Sequence, residues 1–389
     1  MTTLISFIIL LGILVTIHEL GHFLAARSVG VYVEKFSIGM PPRIFTITSK
    51  NKGWLFRLFF YKRVGDSFKW APIFETFFNK RNRIGTNTEY VIALLPLGGY
   101  VKMAGMLDEN MDATIYGKDD EFMSKPLWAK IWILSAGVLM NILLAIFIFS
   151  SIGYFQGIPE YSKDPVVFEL QENMPAEQAG ILPGDRITKI GNTYISTWED
   201  MTNVIHAKPL ENLEITIDRS GQSKNFSLKT SFTLIPQNGV IDTIGIIGIS
   251  PEFYYKNIDL TASILIGIDR TISSFDLIIS SIGMLFSGSA SVRDLGGPIM
   301  IAQLAGQTAE AGLIPYFTFM ALLSVNLAFL NILPIPGLDG GHIFIHLIEG
   351  VIRKPLTIKT KMVIQQIGMA FLLMLMFTVI FSDITRLFN

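Results

Sequence analysis

Hydrophobic and polar positions alternate on two length scales along this chain. On the long scale, four runs stay apolar for about 20 residues or more, the length a helix needs to cross a bilayer. They are Leu4–Ala26, Leu127–Tyr154, Leu313–Leu333 and Met362–Phe381. Ile258–Phe286 is also long and apolar, but Asp269, Arg270 and Asp276 interrupt it, a pattern that predicts a helix lying in the membrane interface. On the short scale, "LEITIDRSGQSKNFSLKT" reads as two alternating strands around Ser220-Gly221, a hairpin signal. Ahead of it, "NMPAEQAGILPGDRITKIGNTYISTWEDMTNVI" gives a Pro-Gly-Asp turn, a short strand and a helix carrying Trp198 and Met201. Together they predict a small α+β module from about Pro165 to Thr230. "TEYVIALLPLGGYVKM", Thr88 to Met103, is two β-like runs joined at Pro96–Gly99 and is uncharged between Glu89 and Lys102. It predicts a hairpin that dips toward the bilayer or packs inside the protein. Irregular backbone survives at membrane depth only where protein covers it or it lines a wet cavity.

Composition strengthens the membrane reading. Half of the 389 residues are hydrophobic and only 16% are charged, against about 25% in soluble proteins. The expected fold class is a polytopic α-helical membrane protein of about four transmembrane helices, with a re-entrant β-hairpin and an inserted α+β domain. The net charge of −1 gives no electrostatic reason to bind nucleic acid. The lack of cysteine excludes disulfides and thiolate metal sites. The first residues lack a basic region and a small-residue cleavage site, so the first run is expected to be a retained span. Lys and Arg outnumber Asp and Glu in the first loop. The long second loop shows the reverse, and the short third loop carries Arg353, Lys354, Lys359 and Lys361. This places the first and third loops in the cytoplasm, and both termini and the α+β module outside. The expected order is a span over 1–26, a cytoplasmic loop over 27–126, a span over 127–154 and the outer module over 155–231. A linker with interfacial helices follows over 232–312, then a span over 313–341, a cytoplasmic loop over 342–361, and the last span over 362–389.

Candidate chemistry lies at the end of the first run. In "HELGH", His18 and His22 stand four apart, so a helix presents both imidazoles on one side. Such a pair suits Zn²⁺, and Glu19 beside the first histidine can take a proton from water at the metal. Ionisable side chains inside a span are costly and mark function. A third ligand is to be sought in "NILPIPGLDGGHIFIHLIEG", where Asp339, His342 and His346 compete.

HELGH, "PLGGYVKMAG", "AEQAGILPGDRI", "SGSASVRDLGGPIMIAQLAG" and "SVNLAFLNILPIPGLDGG", in this order and across most of the chain, resemble the site-2 protease family of intramembrane zinc metalloproteases, most closely its bacterial RseP-type members. The resemblance implies zinc ligands at His18, His22 and Asp339, with Glu19 as general base. It implies that Asn331 contacts the substrate backbone. The Pro96–Met103 element, with Gly98, Gly99 and Tyr100, is implied to hold substrate in extended form. It further implies a PDZ domain in the long loop and residence in the bacterial inner membrane. The implied partners are the lipid bilayer and single-span substrates such as anti-sigma factors or signal-peptide remnants. Two departures stand out. Only one PDZ-like copy is evident, and about 50–83 is a basic, aromatic insertion, expected to lie as an amphipathic segment on the anionic inner leaflet. The competing expectation is a non-catalytic PDZ-bearing membrane adaptor with a structural metal site.

Overall fold

The computed structural model describes residues 2–64, 67–80, 84–106, 116–237, 240–289, 291 and 296–387. Arg81 and Arg83 of the basic stretch, and residues 290 and 292–295 of the SGSASVRDLGG motif, lie outside the described residues. The chain divides into two compact units. One takes Met1–Ser150, Ile264–Phe275 and Val292–Asn389; the other takes Ser151–Ser263 and Asp276–Ser291.

In the first unit four helices are long and apolar enough to cross a membrane: α1 (Thr2–Ser28), α2 (Leu127–Gln156), α7 (Leu313–Ile332) and α9 (Ile358–Leu387). Even α7, at 20 residues, is about 30 Å long. Some of their polar groups are bonded across helices. Tyr316 Oη donates to the Ser6 carbonyl at 2.7 Å, and Ser324 Oγ to the Asn141 carbonyl at 2.8 Å. The buried Asp383 carboxylate of α9 accepts from the backbone N–H groups of Gly297, Ile299 and Met300. It thereby caps α6 (Pro298–Ala311), a favourable place for a negative charge. A shorter helix, α8 (Asp339–Ile352), follows α7.

Between α1 and α2 lies a four-stranded sheet: β1 (Val33–Lys50), β2 (Gly53–Val64), β3 (Ser67–Asn79) and β4 (Glu89–Met103), in the order β3-β2-β1-β4. The basic, aromatic stretch is β-structure: Trp54 stands opposite Phe78, and Phe56 packs on Phe45 and Phe78 at ring separations of 6.0 and 5.0 Å. The arms of β4, expected to pair with each other, take their partners from β1. Ile38 stands opposite both Gly99 and Ile92, so Lys35–Ile38 sits between the two arms. Pro96–Gly99 does supply the turn, but the partner strand is some 60 residues earlier in sequence, beyond the reach of a local pattern.

The second unit is an α+β module. β7 (Arg186–Ile190), β8 (Thr193–Tyr194), β9 (Asn212–Arg219) and β10 (Gln222–Lys229) form a sheet in the order β10-β9-β7-β8. With α3 (Pro175–Gln178) and α4 (Trp198–His206), it encloses a core of Ile187, Met201, Ile215 and Ile217. Thr197 and Asp200 form a reciprocal capping box that starts α4. The turn at Pro183–Asp185 is braced by Asp185, whose carboxylate takes two 2.7 Å hydrogen bonds from Arg219 and one from the Leu182 N–H. Burial pushes this carboxyl up, but those three donors outweigh it and hold it below the usual carboxylate range. The stretch after Thr230, expected as linker, is largely ordered. β11 (Ser231–Gln237) pairs with β12 (Val240–Ile246). Further on, β13 (Ile249–Ser250) and β14 (Phe253–Lys256) return to pair with β6 (Glu169–Leu170) and β5 (Ile158–Tyr161). A single helix, α5 (Leu260–Ser287), covers the doubtful apolar run and is not among the helices apolar enough to span.

Candidate metal centre

α1 carries His18, Glu19 and His22 in its C-terminal half, with both imidazoles buried. The helix of "HELGH" can approach α2 closely because position 21 is glycine. A Cβ there would lie within the van der Waals radius of the Ala136 carbonyl. Asp339 arrives from the other end of the chain, in the first turn of α8. The following glycines are required by the same logic. A side chain at Gly340 or Gly341 would run into the backbone carbonyls of Ile332, Leu333 and Ile335, so α8 folds hard against the end of α7 and aims Asp339 at α1.

The three side chains meet at one point. His18 Nε2 and His22 Nε2 are 3.1 Å apart, and Asp339 Oδ2 is 3.0 Å from the first and 3.3 Å from the second. Ligand atoms bound at 2.0–2.1 Å around a tetrahedral Zn²⁺ stand about 3.3 Å from one another. The protonation pattern points the same way. His22 Nδ1 is 2.8 Å from the Ile133 carbonyl and so must donate, which in the neutral ring leaves Nε2 a bare lone pair. His18 Nδ1 is 3.2 Å from the Asn141 amide. As placed, the amide nitrogen faces it, while Asn141 Oδ1 is buried without a partner. Turning the amide over gives Oδ1 the Nδ1–H as its donor and leaves His18 Nε2 bare as well. Asp339 Oδ2 is likewise buried and, despite its close neighbours, has no aligned hydrogen bond. With both rings neutral, three lone pairs converge here and suit a shared cation, and two imidazoles with one carboxylate are a zinc donor set.

His342 and His346 are occupied elsewhere. His342 Nε2 meets the Gln365 amide at 3.0 Å, and His346 Nδ1 meets Glu349 Oε2 at 2.8 Å. Burial pushes His346 down to about 4 against the pull of Glu349, so it is neutral at physiological pH. The turn of β4 runs along α1. The Pro96 carbonyl faces Gly12, Gly98 faces Val15, and a Cβ on Gly99 would touch the Glu19 side chain at 3.7 Å. Tyr100 is next in register, opposite Ser37. Asn331 lies in the last turn of α7, half-buried, and no described contact joins it to His18, His22 or Asp339. Two residues that sequence reasoning missed touch the centre. One is Asn141. The other is Gly137, where a Cβ would come within 2.6 Å of His18 Cε1 and His22 Nε2. Asn141 had a legible signal, a lone amide in an apolar span; Gly137 had none.

The model of peptidase family M50 matches residues 6–69 and 70–375 of this chain. The chain belongs to peptidase family M50. Similar sequences extend over its full length. A zinc metalloprotease RasP from Oceanobacillus iheyensis is 31% identical, over 100% of both chains. A second, from Bacillus licheniformis, is 30% identical over 100% of both. A regulator of sigma-W protease RasP from Bacillus subtilis is 30% identical over 99% of each. Among solved structures, a PDZ domain from Listeria monocytogenes aligns with 24% of this chain and 90% of its own, at 18% identity and a TM-score of 0.19. Membership of M50 makes the chain a zinc-dependent, site-2-type metalloprotease of the membrane.

Proposed function

We propose that the chain hydrolyses peptide bonds within membrane-embedded segments of single-span proteins, with His18, His22 and Asp339 as the zinc ligands and Glu19 as the general base. The convergence of two imidazole nitrogens and a carboxylate oxygen 3.0–3.3 Å apart carries this reading, with a carboxylate one residue from the first of them. Zinc held there would supply Lewis acidity toward a scissile carbonyl. The chain's own residues do the rest. Glu19 takes the proton of the attacking water and returns it to the leaving nitrogen. A helical substrate must unwind before it is cut, and its freed backbone groups need partners in lipid. The β4 turn at Pro96–Tyr100, beside Glu19, is the element that supplies them by strand addition, as a re-entrant loop at membrane depth. Asn331 donates its amide to the substrate backbone near the cut.

The distribution of Lys and Arg supports a bacterial cytoplasmic membrane setting with both termini and the α+β module outside. That module is a PDZ-like gate, either capturing a newly exposed carboxyl terminus or excluding substrates with an untrimmed outer domain. A relative named regulator of sigma-W protease favours membrane-tethered anti-sigma factors among the substrates. Glu19→Gln is expected to abolish cleavage of a membrane-embedded reporter while zinc stays bound, and Asp339→Asn to release the zinc. Normal turnover by Glu19→Gln would refute its role as general base, and a wild-type chain that binds zinc but leaves the reporter uncut would return the chain to the non-catalytic adaptor class.

A further inference from the structure

Away from the metal centre, the chain gathers cations around a cleft of about 210 Å³ at the start of α2. Lys130 enters it from the first turn of α2; Arg353 and Lys354 enter from the end of α8. The walls are fixed by close packing, since a Cβ on Gly350 would lie 2.7 Å from Leu127 Cδ2. Among the described residues that line the cleft, the one carboxylate is already spent. Glu349 takes the Lys361 ammonium at 2.8 Å, the His346 ring at 2.8 Å and the Leu356 N–H at 2.7 Å. Lys361 matches its charge, because His346 is neutral. Among the described residues, Lys130, Arg353 and Lys354 have no ion-pair partner, and Lys130 is half-buried. A partly desolvated ammonium with no counter-charge is costly, and an anion relieves it.

Arg353 adds an independent sign. It closes α8 with φ at 57°, in the left-handed region, where helix ends ordinarily place glycine. The chain keeps a guanidinium where backbone conformation favours no side chain at all. The flanks of the cleft are greasy. Trp128 is 65% exposed, Ile352 55% and Val351 84%, and exposed tryptophan is typical of the level where hydrocarbon gives way to water.

We propose that this cleft binds the phosphate of an anionic phospholipid headgroup, with Lys130, Arg353 and Lys354 as its counter-charges and the Trp128–Ile352 surface against the acyl chains. Cations alone would serve a free phosphate equally well; the apolar flanks select the lipid. Basic pockets between membrane helices bind anionic headgroups in this manner.

The test uses the full chain, reconstituted in vesicles of equimolar phosphatidylglycerol and phosphatidylcholine and released into the mass spectrometer under native conditions. The wild type is expected to retain phosphatidylglycerol in preference to phosphatidylcholine. Lys130→Gln and Arg353→Gly are each expected to lower that preference about fivefold, the worth of one basic residue near an anionic surface. Arg353→Gly removes the charge and relieves the backbone, so it folds at least as well as the wild type and keeps the test free of unfolding. An excess of inorganic phosphate is expected to leave the retained lipid in place; displacement by it would assign the cleft to free phosphate and overturn the lipid. Equal phosphatidylglycerol retention by the wild type and Arg353→Gly, at equal melting temperature, would overturn the site itself.

Discussion

Replacing Gly137 by alanine is the sharpest probe of the metal centre. In an exposed helix this change removes backbone freedom from the unfolded chain and stabilises by up to about 1 kcal/mol. At Gly137 the added methyl would lie 2.6 Å from His22 Nε2 and His18 Cε1, and 2.7 Å from His18 Nε2. Ordinary contact begins near 3.4 Å, so the imidazoles must retreat by about 0.8 Å, several times the roughly 0.2 Å tolerance of a zinc–ligand distance. Neither side has room. His22 is tied to the Ile133 carbonyl at 2.8 Å, and α1 and α2 already touch backbone to backbone at Gly21. Disturbing groups that merely support a ligand costs 10–100-fold in metal affinity. A direct collision with two proposed ligands is expected to reach the upper end, about 100-fold or 2.7 kcal/mol. The assay is zinc content by elemental analysis after equilibration against graded chelator buffers. Gly153→Ala is the matched control: it lies in the same helix, and its Cβ would meet nothing closer than 3.6 Å. If Gly137→Ala holds zinc through the whole chelator series as the wild type does, the placement of α2 over the two imidazoles is wrong.

Two further outcomes are expected. Asn141→Leu removes the acceptor for His18 Nδ1–H and should weaken zinc retention about 10–100-fold, while Asn141→Asp, which keeps an oxygen there, should lose less; equal losses would discard the tautomer argument. In the outer module, the Asp185 carboxyl is held below its ordinary range, so its stabilisation is complete above pH 4, the unfolded value, and fades as pH falls through its folded value. Asp185→Asn should therefore lower the melting temperature of that unit at pH 7, with the gap to the wild type narrowing below about pH 4, and a gap independent of pH would refute the linkage.

The spans were legible because length and apolarity alone decide them; α1, α2, α7 and α9 differ from the expected runs by a few residues at their ends. His18 and His22 were legible because a four-residue spacing fixes their geometry on any helix. Asp339 was not: residues alone left it level with His342 and His346, and only the folding of Gly340 and Gly341 onto α7 turns it toward α1. The sheet was the least legible part. Phe45, Phe56 and Phe78 look like an amphipathic stretch when read singly and become one packed row only when three strands align. The pairing of Ile38 with both Gly99 and Ile92 joins segments whose local patterns contain no record of each other.

The distance in sequence between His22 and Asp339 has a bearing on the protein's birth. At ribosomal speeds of about 5–20 residues per second, the first two histidines enter the membrane roughly 15–60 s before the aspartate is made. Throughout that interval the nascent chain carries only two of the three proposed zinc ligands. Assembly of the proposed centre waits for the last third of the polypeptide, so a chain interrupted before Asp339 lacks one of its three donors.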